Sequence, residues 1–338
     1  NVAQIATNLE DIASTQDIIS MADYLLDKNS HSVVISTGGA RQQEVLKTGS
    51  VCHELPFKKR EEDGHYGLFS AFKMGLRLSR VLRESQVDVV HLHSQGLARP
   101  VYMACKLSNI PLVIKVDDPL GCVKHAPISI FKKTPLITLV EKHKQKLMSL
   151  GVPEDLITIL PPAYNSHVFN PQKTDVNKVD TLWAEWDVPA ATRVIYVPTR
   201  RLEDSAGVDV FIQALTALKG WPLKAIISGD YSHNQLQFTE LWQQVEKHEL
   251  SNQVLFIGAV QDVVNTYAAA DIVVCPHQYT PPVCRSPLRA QAMGKPVIAS
   301  NLDEYMDMLS HEETGWIFPR ENPNKLTEIL KKTLSDQV

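Results

Sequence analysis

Short apolar segments with the spacing of β-strands alternate along the chain with segments of helical spacing, and this alternation begins a second time near residue 191. The first series opens with a strand over 2–7, a helix over 15–28 and a strand over 32–36. Strands that alternate with helices form parallel sheets covered on both faces. A chain of 338 residues is also too long for one ordinary core. We therefore predict an α/β protein of two tandem, Rossmann-like, doubly wound parallel-sheet domains that face a cleft.

The restart of the pattern sets the expected domain boundaries. Residues 1–170 form the predicted N-terminal domain, 171–190 a polar linker and 191–338 the C-terminal domain. Further strands are predicted over 87–92, 111–116, 136–140, 157–160, 193–197, 223–228, 254–257, 272–275 and 297–300. Further helices are predicted over 71–84, 98–107, 141–150, 207–218, 235–247 and 325–334.

Composition excludes several classes of protein. A formal net charge of -4 and a pI near 6.3 give no basic face for nucleic acid. Five cysteines without CxxC spacing suit neither a disulfide framework nor a zinc site, which favours a reducing cytoplasm. No apolar run is long enough to cross a bilayer, and no signal-type segment opens the chain. Because residue 1 is Asn rather than Met, we do not expect it to be the natural start.

Four motifs spread over the chain carry a family resemblance. Residues 271–300 read DIVVCPHQYTPPVCRSPLRAQAMGKPVIAS, and residues 160–171 read LPPAYNSHVFNP. Arg201-Leu202 leads to Gly207, and a Thr-Gly-Trp turn lies at 314–316. Together these segments resemble retaining glycosyltransferases of family 4, the group 1 type, and above all bacterial lipopolysaccharide-core transferases. The resemblance implies the GT-B fold and a nucleotide-sugar donor, linked to UDP or GDP.

The same resemblance implies a donor site, and this chain departs from it at several positions. Arg201 stands at the position of a phosphate-binding arginine, but Ala206 replaces the lysine that follows it. Pro281 and Arg289 replace the two glutamates beside the donor sugar and ribose. Because an arginine only donates hydrogen bonds, the usual ribose recognition is lost. For Arg289 two readings stay open: a cation for the phosphates, or a solvated helix residue paired with an acid.

The candidate site residues follow from these positions. Asp117 and Asp118 replace the family's His-Gly pair after the 111–116 strand and are the catalytic candidates, although Asp118-Pro119 also suits an ordinary turn. His91 and His93 share one face of a strand end and are expected to line the cleft rather than bind a metal. The loop over 8–15 lacks the family's glycines, and Ser14 or Thr15 can cap the helix after it. The predicted donor-binding residues are Arg201, Arg285, Arg289, Asp303, Glu304 and Ser14, and the predicted cleft-lining residues are His91, His93, Asn165 and Pro281.

The sequence is compatible with two functions of different classes. The first is transfer of a sugar, with retention, to a cell-envelope glycolipid or polysaccharide, without a cofactor or a metal. The second is a catalytically inactive GT-B protein that acts as a binding or scaffolding subunit. A GT-B epimerase or phosphate-releasing enzyme is a third possibility, for which the sequence gives no separate support. Lysines between 124 and 146 give a basic bias that suits peripheral contact with the inner face of the cytoplasmic membrane, although solvated helix faces explain it too.

Overall fold

The computed structural model describes residues 1–10, 12–57, 66–119, 126–166, 168–203, 206–232, 234–279 and 285–335. It divides into two compact units, Asn1–Pro161 and Pro162–Val338. Each unit contains one parallel sheet with helices, so the α/β prediction is confirmed. We refer to the units as the first and second domains.

The first domain contains a seven-stranded sheet in the order β3-β2-β1-β4-β5-β6-β7. Its strands are β1 Val2–Ile5, β2 Ser32–Ser36, β3 Val51–Glu54, β4 Val89–Leu92, β5 Leu112–Val116, β6 Leu136–Thr138 and β7 Ile157–Ile159. The α-helices among its described residues are α1 Ile12–Asp27, α2 Gln42–Lys47, α3 Leu68–Glu84, α4 Ala98–Ser108, α5 Ile128–Phe131 and α6 Glu141–Ser149.

The second domain contains a six-stranded sheet in the order β10-β9-β8-β11-β12-β13. Its strands are β8 Arg193–Val197, β9 Leu223–Ser228, β10 Val254–Gly258, β11 Ile272–Cys275, β12 Val297–Ser300 and β13 Trp316–Phe318. The α-helices among its described residues are α7 Val176–Glu185, α8 Val208–Leu215, α9 Gln235–Lys247, α10 Val263–Ala269, α11 Ser286–Ala292, α12 Asp303–Met306 and α13 Pro323–Ser335.

The central strands of both sheets are buried on both faces, as expected of parallel strands between helices. In the second domain every residue of β11 and β12 is buried. In the first domain β1 carries one polar residue into this interior: Gln4 is fully buried. A buried amide has to be hydrogen-bonded, so its partners are informative about the site.

The structure differs from the sequence prediction at several elements. Helix α1 begins at Ile12, so Ser14 and Thr15 lie inside its first turn and the predicted capping role is wrong. The expected linker 171–190 contains α7, whose Asp175 side chain accepts hydrogen bonds from the first backbone N–H groups of the helix. Within the described residues, no helix is both long and apolar enough to cross a membrane.

Candidate functional site

Each sheet has one point where strand order reverses, and such points bind ligands at the carboxyl ends of the strands. In the first domain this point lies between β1 and β4. In the second domain it lies between β8 and β11. A ligand site is therefore expected in the segments that follow these four strands.

At the switch point of the second domain, the segment before α8 lies against the backbone that follows β11. Gly207 has φ +65°, and a Cβ atom added there would lie 1.9 Å from the Pro276 carbonyl oxygen. Only glycine tolerates both this backbone conformation and this approach. Gly207 therefore allows the backbones of the two switch-point segments to approach each other closely.

A buried histidine lies two residues after β11. The Nδ1 of His277 lies 2.9 Å from the Tyr305 hydroxyl, and the His277 carbonyl accepts a hydrogen bond from the Ser300 hydroxyl. Burial lowers the pKa of His277 to about 4, so the ring is neutral at pH 7. The ring thus has a fixed orientation and adds no charge to this edge of the sheet.

Positive charge at this edge comes from arginines instead. Arg201 lies just beyond β8, forms a parallel β-bridge with Asp230 and keeps about half of its side chain exposed. Arg285 is buried at the start of α11. Arg320 donates from Nη1 to the Gln278 carbonyl oxygen at 3.1 Å. The segments after β8, β11 and β13 thus each contribute a guanidinium group.

Arg289 lies on α11 and contacts an aromatic ring of the same domain. Its guanidinium carbon is 5.1 Å from the centre of the Phe169 ring, a cation–π distance. Phe169 packs edge-on against Tyr267, which packs edge-on against Tyr196. The Nε atom of Arg289 is buried and has no hydrogen-bond partner among the described residues. It is thus a buried donor at the edge of an aromatic cluster.

Four other predicted positions belong to this domain. Asp303 and Glu304 are half-buried in the first turn of α12, immediately after β12. The half-buried Asn165 accepts from the N–H groups of Val168 and Phe169 through its backbone carbonyl. Pro281 lies outside the described residues.

Ala206 stands at the position where the family resemblance implies a phosphate-binding lysine. It is buried within the hydrophobic core of the domain, among the side chains that pack around α8. A lysine side chain at this position would have to enter the core or displace the loop.

In the first domain, polar side chains from three neighbouring strands lie on one face of the sheet. Gln4 of β1 is in register with His91 of β4, so both side chains lie on the same face as His93. The Gln4 amide donates to the Ser32 hydroxyl and to the Ile18 carbonyl, and its oxygen lies 3.2 Å from His93 Nε2. The two histidine rings are 4.1 Å apart. The structure thus brings His91 and His93 together beside the switch point.

Lys115 of β5 extends this polar face. Its ammonium group lies 3.0 Å from a carboxylate oxygen of Asp17 on α1 and 3.0 Å from one of Asp117. Asp117 is half-buried at the end of β5, whereas Asp118 is exposed. Asp117 therefore belongs to this network, which we call the Lys115 network: Asp17, His91, His93, Lys115 and Asp117.

The protonation states of the Lys115 network follow from burial and from the lysine charge. Burial, assisted by the charge of Lys115, lowers the pKa of His91 to about 4. Burial also lowers the pKa of His93 well below its usual value. Burial alone would lower the pKa of Lys115, but the two carboxylates raise it. For Asp117, burial raises the pKa of the carboxyl against the opposing effect of Lys115. At pH 7 both histidines are thus neutral and the lysine is charged.

This arrangement suits a ligand that carries hydroxyl groups. Thr15 Oγ1, His91 Nε2 and His93 Nδ1 are buried and lack hydrogen-bond partners among the described residues. A hydroxyl group can donate to a neutral imidazole and accept from one. Within the described residues, no cluster of three or more His, Cys, Asp or Glu side chains could hold a metal ion.

The other predicted residue of this domain, Ser14, lies half-buried in α1. The glycine-free loop after β1 is approached by a glycine pair from the next strand. A Cβ atom on Gly39 would lie 2.8 Å from the Leu9 backbone, and Leu9 donates its N–H to the Gly38 carbonyl. The glycines that allow a close backbone approach at this edge therefore lie at 38–39, after β2, and they pack against the loop that follows β1.

Sequence reasoning missed Gln4, Asp17, Lys115, His277 and Tyr305. Two of them carried a signal, since a glutamine and a lysine interrupt the apolar strands VAQI and LVIKV. Such residues are buried only when they are paired.

Comparison with known proteins identifies the domain family of the second half of the chain. Residues 188–337 match the model of the family described as glycosyl transferases group 1. These residues are a glycosyltransferase group 1 domain. The uncharacterized glycosyltransferase MJ1607 of Methanocaldococcus jannaschii is 24% identical over 294 residues, which cover 80% of this chain and 72% of that protein. The lipopolysaccharide core biosynthesis mannosyltransferase LpsB of Rhizobium meliloti is 27% identical over 144 residues, which cover 40% of each chain.

Solved structures extend the likeness to the whole chain. A glycosyltransferase from Rickettsia africae matches with a TM-score of 0.89 at 21% identity, over 99% of this chain and 88% of that one. HepE of Anabaena, solved in complex with UDP and glucose, matches with a TM-score of 0.80 at 18% identity, over 99% and 90%. The fold is GT-B, and the resemblance to lipopolysaccharide-core transferases read from the sequence is confirmed.

Proposed function

We propose that the chain transfers a sugar from a nucleotide-sugar donor to a cell-envelope glycolipid or polysaccharide, with retention of the anomeric configuration. The observation that carries the proposal is the glycosyltransferase group 1 domain over 188–337. The similarity to LpsB supports the acceptor class, and the fold shared with HepE, which was solved with UDP and glucose, supports the donor class.

The second domain supplies the proposed donor site. Arg201 and Arg285 follow β8 and β11, where the switch point favours a ligand. Guanidinium groups bind phosphate oxygens through charge-assisted hydrogen bonds. Arg289, which lies on α11 and packs against Phe169, is a further cation on the helix that begins beside Arg285. Asp303 and Glu304 would repel a diphosphate, so we place them beside the donor sugar, whose hydroxyl groups can donate to carboxylates.

The first domain supplies the proposed acceptor site. Burial raises the pKa of the Asp117 carboxyl, which makes it a stronger base than an exposed aspartate, while its contact with Lys115 opposes the rise. We assign it the removal of the proton from the acceptor hydroxyl. The partnerless nitrogen atoms of His91 and His93 then bind neighbouring hydroxyl groups. Asp118, which is exposed, is left as a turn residue.

The test is the melting temperature of the chain with UDP, GDP and their sugar conjugates. A ligand that binds only the native state stabilises it by mass action. We expect one nucleotide series to raise the melting temperature. Replacing Arg201 by Gln removes one charge-assisted contact, about 1.5–3 kcal/mol or roughly 10- to 150-fold in affinity. The matched control is Lys247→Gln at the last turn of α9, which should leave the affinity unchanged.

The same assay separates an enzyme from a binding or scaffolding protein. If no nucleotide shifts the melting temperature at millimolar concentration, the transferase proposal fails and the inactive alternative takes its place. Arg289→Glu restores one family glutamate, and a gain in nucleotide affinity would show that the site has lost rather than exchanged its ribose contact. Ala206→Lys is unsuited to this purpose because Ala206 is a core residue.

Transfer to a glycolipid takes place at a membrane surface. We therefore propose that the chain works in the cytoplasm, in peripheral contact with the inner face of the cytoplasmic membrane. The basic residues between 124 and 146 were the sequence candidate for that contact. Lys144 pairs with Glu154 at 2.7 Å, and Lys124 lies outside the described residues.

A further inference from the structure

Helix α3 of the first domain carries large apolar side chains on its solvent side. Phe69 is 83% exposed and Leu68 is 71% exposed, while Phe72 and Leu76 are each 46% exposed. These residues do not build the core, because the opposite side of the helix does so: its buried residues are Ala71, Met74, Gly75, Leu78, Ser79 and Leu82. Contiguous exposed apolar surface of this kind marks an interaction site.

Basic side chains lie on the same solvent side. At 100° per residue, Lys73 and Arg80 fall within about 40° of Phe69 around the helix axis, and Arg77 falls within about 80°. All three are exposed, and among the described residues no acidic side chain pairs with them. Glu84, at the last position, is the sole acidic residue of the helix sequence.

We propose that this side of α3 docks on an anionic lipid bilayer. The α3 face, as we name it, consists of Leu68, Phe69, Phe72, Lys73, Leu76, Arg77 and Arg80. Aromatic and leucine side chains combined with lysine and arginine are the composition of helices that lie in a membrane interface. The apolar side chains enter the boundary of headgroups and acyl chains, while the basic ones meet lipid phosphates.

Charge argues for lipid over a second copy of the chain. A symmetric dimer through the α3 face would bring like charges together, because each copy presents the same lysine and arginines. An anionic bilayer presents the opposite charge over its whole surface. The inference goes beyond sugar transfer, and it rests on the proposed function only for the membrane-linked acceptor that would make docking useful.

The α3 face also fits a bilayer better than the lysine-rich segment around α6. Among the described residues of that segment, the large exposed apolar residue is Met148, near the end of a helix whose other residues are mostly polar. Charge without apolar insertion gives weak, salt-sensitive attachment. The α3 face supplies both components.

Co-sedimentation of the full chain with vesicles tests the proposal. We expect binding to vesicles of equal parts phosphatidylcholine and phosphatidylglycerol, weak binding to phosphatidylcholine alone, and loss of binding as salt is raised. Arg77→Gln with Arg80→Gln should weaken binding about 25-fold, about fivefold for each charge. Phe69→Ser with Phe72→Ser should weaken it by tenfold or more, because the inserted apolar area is removed.

Matched controls lie on another helix. Leu236, on α9, is 71% exposed, so Leu236→Ser removes a comparable apolar side chain outside the α3 face, and Lys247→Gln removes a charge there. Both variants should bind vesicles as the wild type does. Circular dichroism of the α3 variants checks that they are folded.

The proposal is overturned if the wild type does not bind anionic vesicles, or if the folded α3 variants bind them as strongly as the wild type does. It is also overturned if a dimer forms that the α3 substitutions abolish while no vesicle binding occurs. Nucleotide stabilisation, measured on the same variants, should stay intact. A failure of vesicle binding alone therefore refutes the docking surface, and a failure of nucleotide binding alone refutes the proposed donor site.

Discussion

Replacing Lys115 by Met should destabilise the first domain and leave the second domain unchanged. The Lys115 side chain is 7% exposed and lies 3.0 Å from carboxylate oxygens of both Asp17 and Asp117. Methionine fills a similar volume, so the substitution removes the charge without opening a large cavity. It leaves two carboxylates that have lost their common cation.

The expected cost follows from the exposure of those carboxylates. Breaking a buried ion pair by removing one partner costs about 3–5 kcal/mol. Asp17 and Asp117 are 24% and 20% exposed, so water can compensate part of the loss. We therefore expect about 2–4 kcal/mol, a large share of the stability of an ordinary domain. The loss should shrink in acid, because protonation of the Asp117 carboxyl, whose pKa burial already raises, removes its repulsion with Asp17.

The distribution of tryptophan makes the measurement specific to a domain. All five tryptophans lie between 183 and 316, in the second domain, so their fluorescence reports that domain alone. The first domain can be followed by amide hydrogen exchange in peptides from β1, β4 and β5. A loss of about 3 kcal/mol corresponds to exchange about 100-fold faster in those strands.

A variant that removes all three charges, at 17, 115 and 117, is the control. In a triple variant, Lys115→Met with Asp17→Asn and Asp117→Asn, no buried charge is left unpaired, so most of the stability should return. Unchanged exchange in β1, β4 and β5 of the single variant would refute the reasoning. So would a triple variant as unstable as the single one, since the cost would then come from packing rather than from charge.

Two further predictions concern single residues in each domain. Gly207→Ala should cost the second domain about 2–5 kcal/mol, because the added Cβ meets the Pro276 carbonyl oxygen; Gly294→Ala, with φ +67° and open space around its Cβ, should cost about 1 kcal/mol, and equal midpoints in urea unfolding followed by tryptophan fluorescence would contradict this. His91, with a folded pKa of about 4 against about 6.5 in the unfolded chain, should lower the stability of the first domain by about 3 kcal/mol as pH falls from 6.5 to 4, since the unfolded chain takes up the proton first. Hydrogen exchange at the two pH values should show a smaller acid loss in His91→Gln, and an equal loss would count against the assignment.

Periodicity predicted the elements whose apolar pattern is unbroken. The strand predicted over 193–197 and the helix predicted over 235–247 match β8 and α9. Strand β3, with the sequence VCHE and an exposed Val51, lies at the edge of its sheet and has no such pattern. Helix α7 lies in a segment interpreted as a linker, and Val179 is its one buried residue. Local pattern therefore predicts the buried centre of each sheet better than its edges.

The candidate sites were predictable only in part, for a different reason. The side chains of His91 and His93 are two residues apart on one strand, so their shared face follows from strand geometry. The ion pair of Lys115 with Asp17 joins residues 98 positions apart, and no local pattern reveals it. The contact of Arg289 with Phe169 likewise depends on how the chain folds back on itself. Sequence indicated which residues were unusual, and the fold decided what they contact.

The two domains carry different polar groups beside their switch points. The difference agrees with the proposal that one domain binds the acceptor and the other the donor. Beside its switch point, the first domain pairs Lys115 with two carboxylates and keeps two neutral imidazoles with free nitrogen atoms. Such a surface recognises neutral hydroxyl groups and offers a base, but its carboxylates oppose a diphosphate. The second domain instead fixes a neutral histidine through Tyr305 and places Arg201 after β8 and Arg285 after β11, with Glu203 3.9 Å from the Arg201 guanidinium. Charge-assisted hydrogen bonds from guanidinium groups favour a diphosphate over an uncharged sugar acceptor, which is why we propose the donor for the second domain and the acceptor for the first.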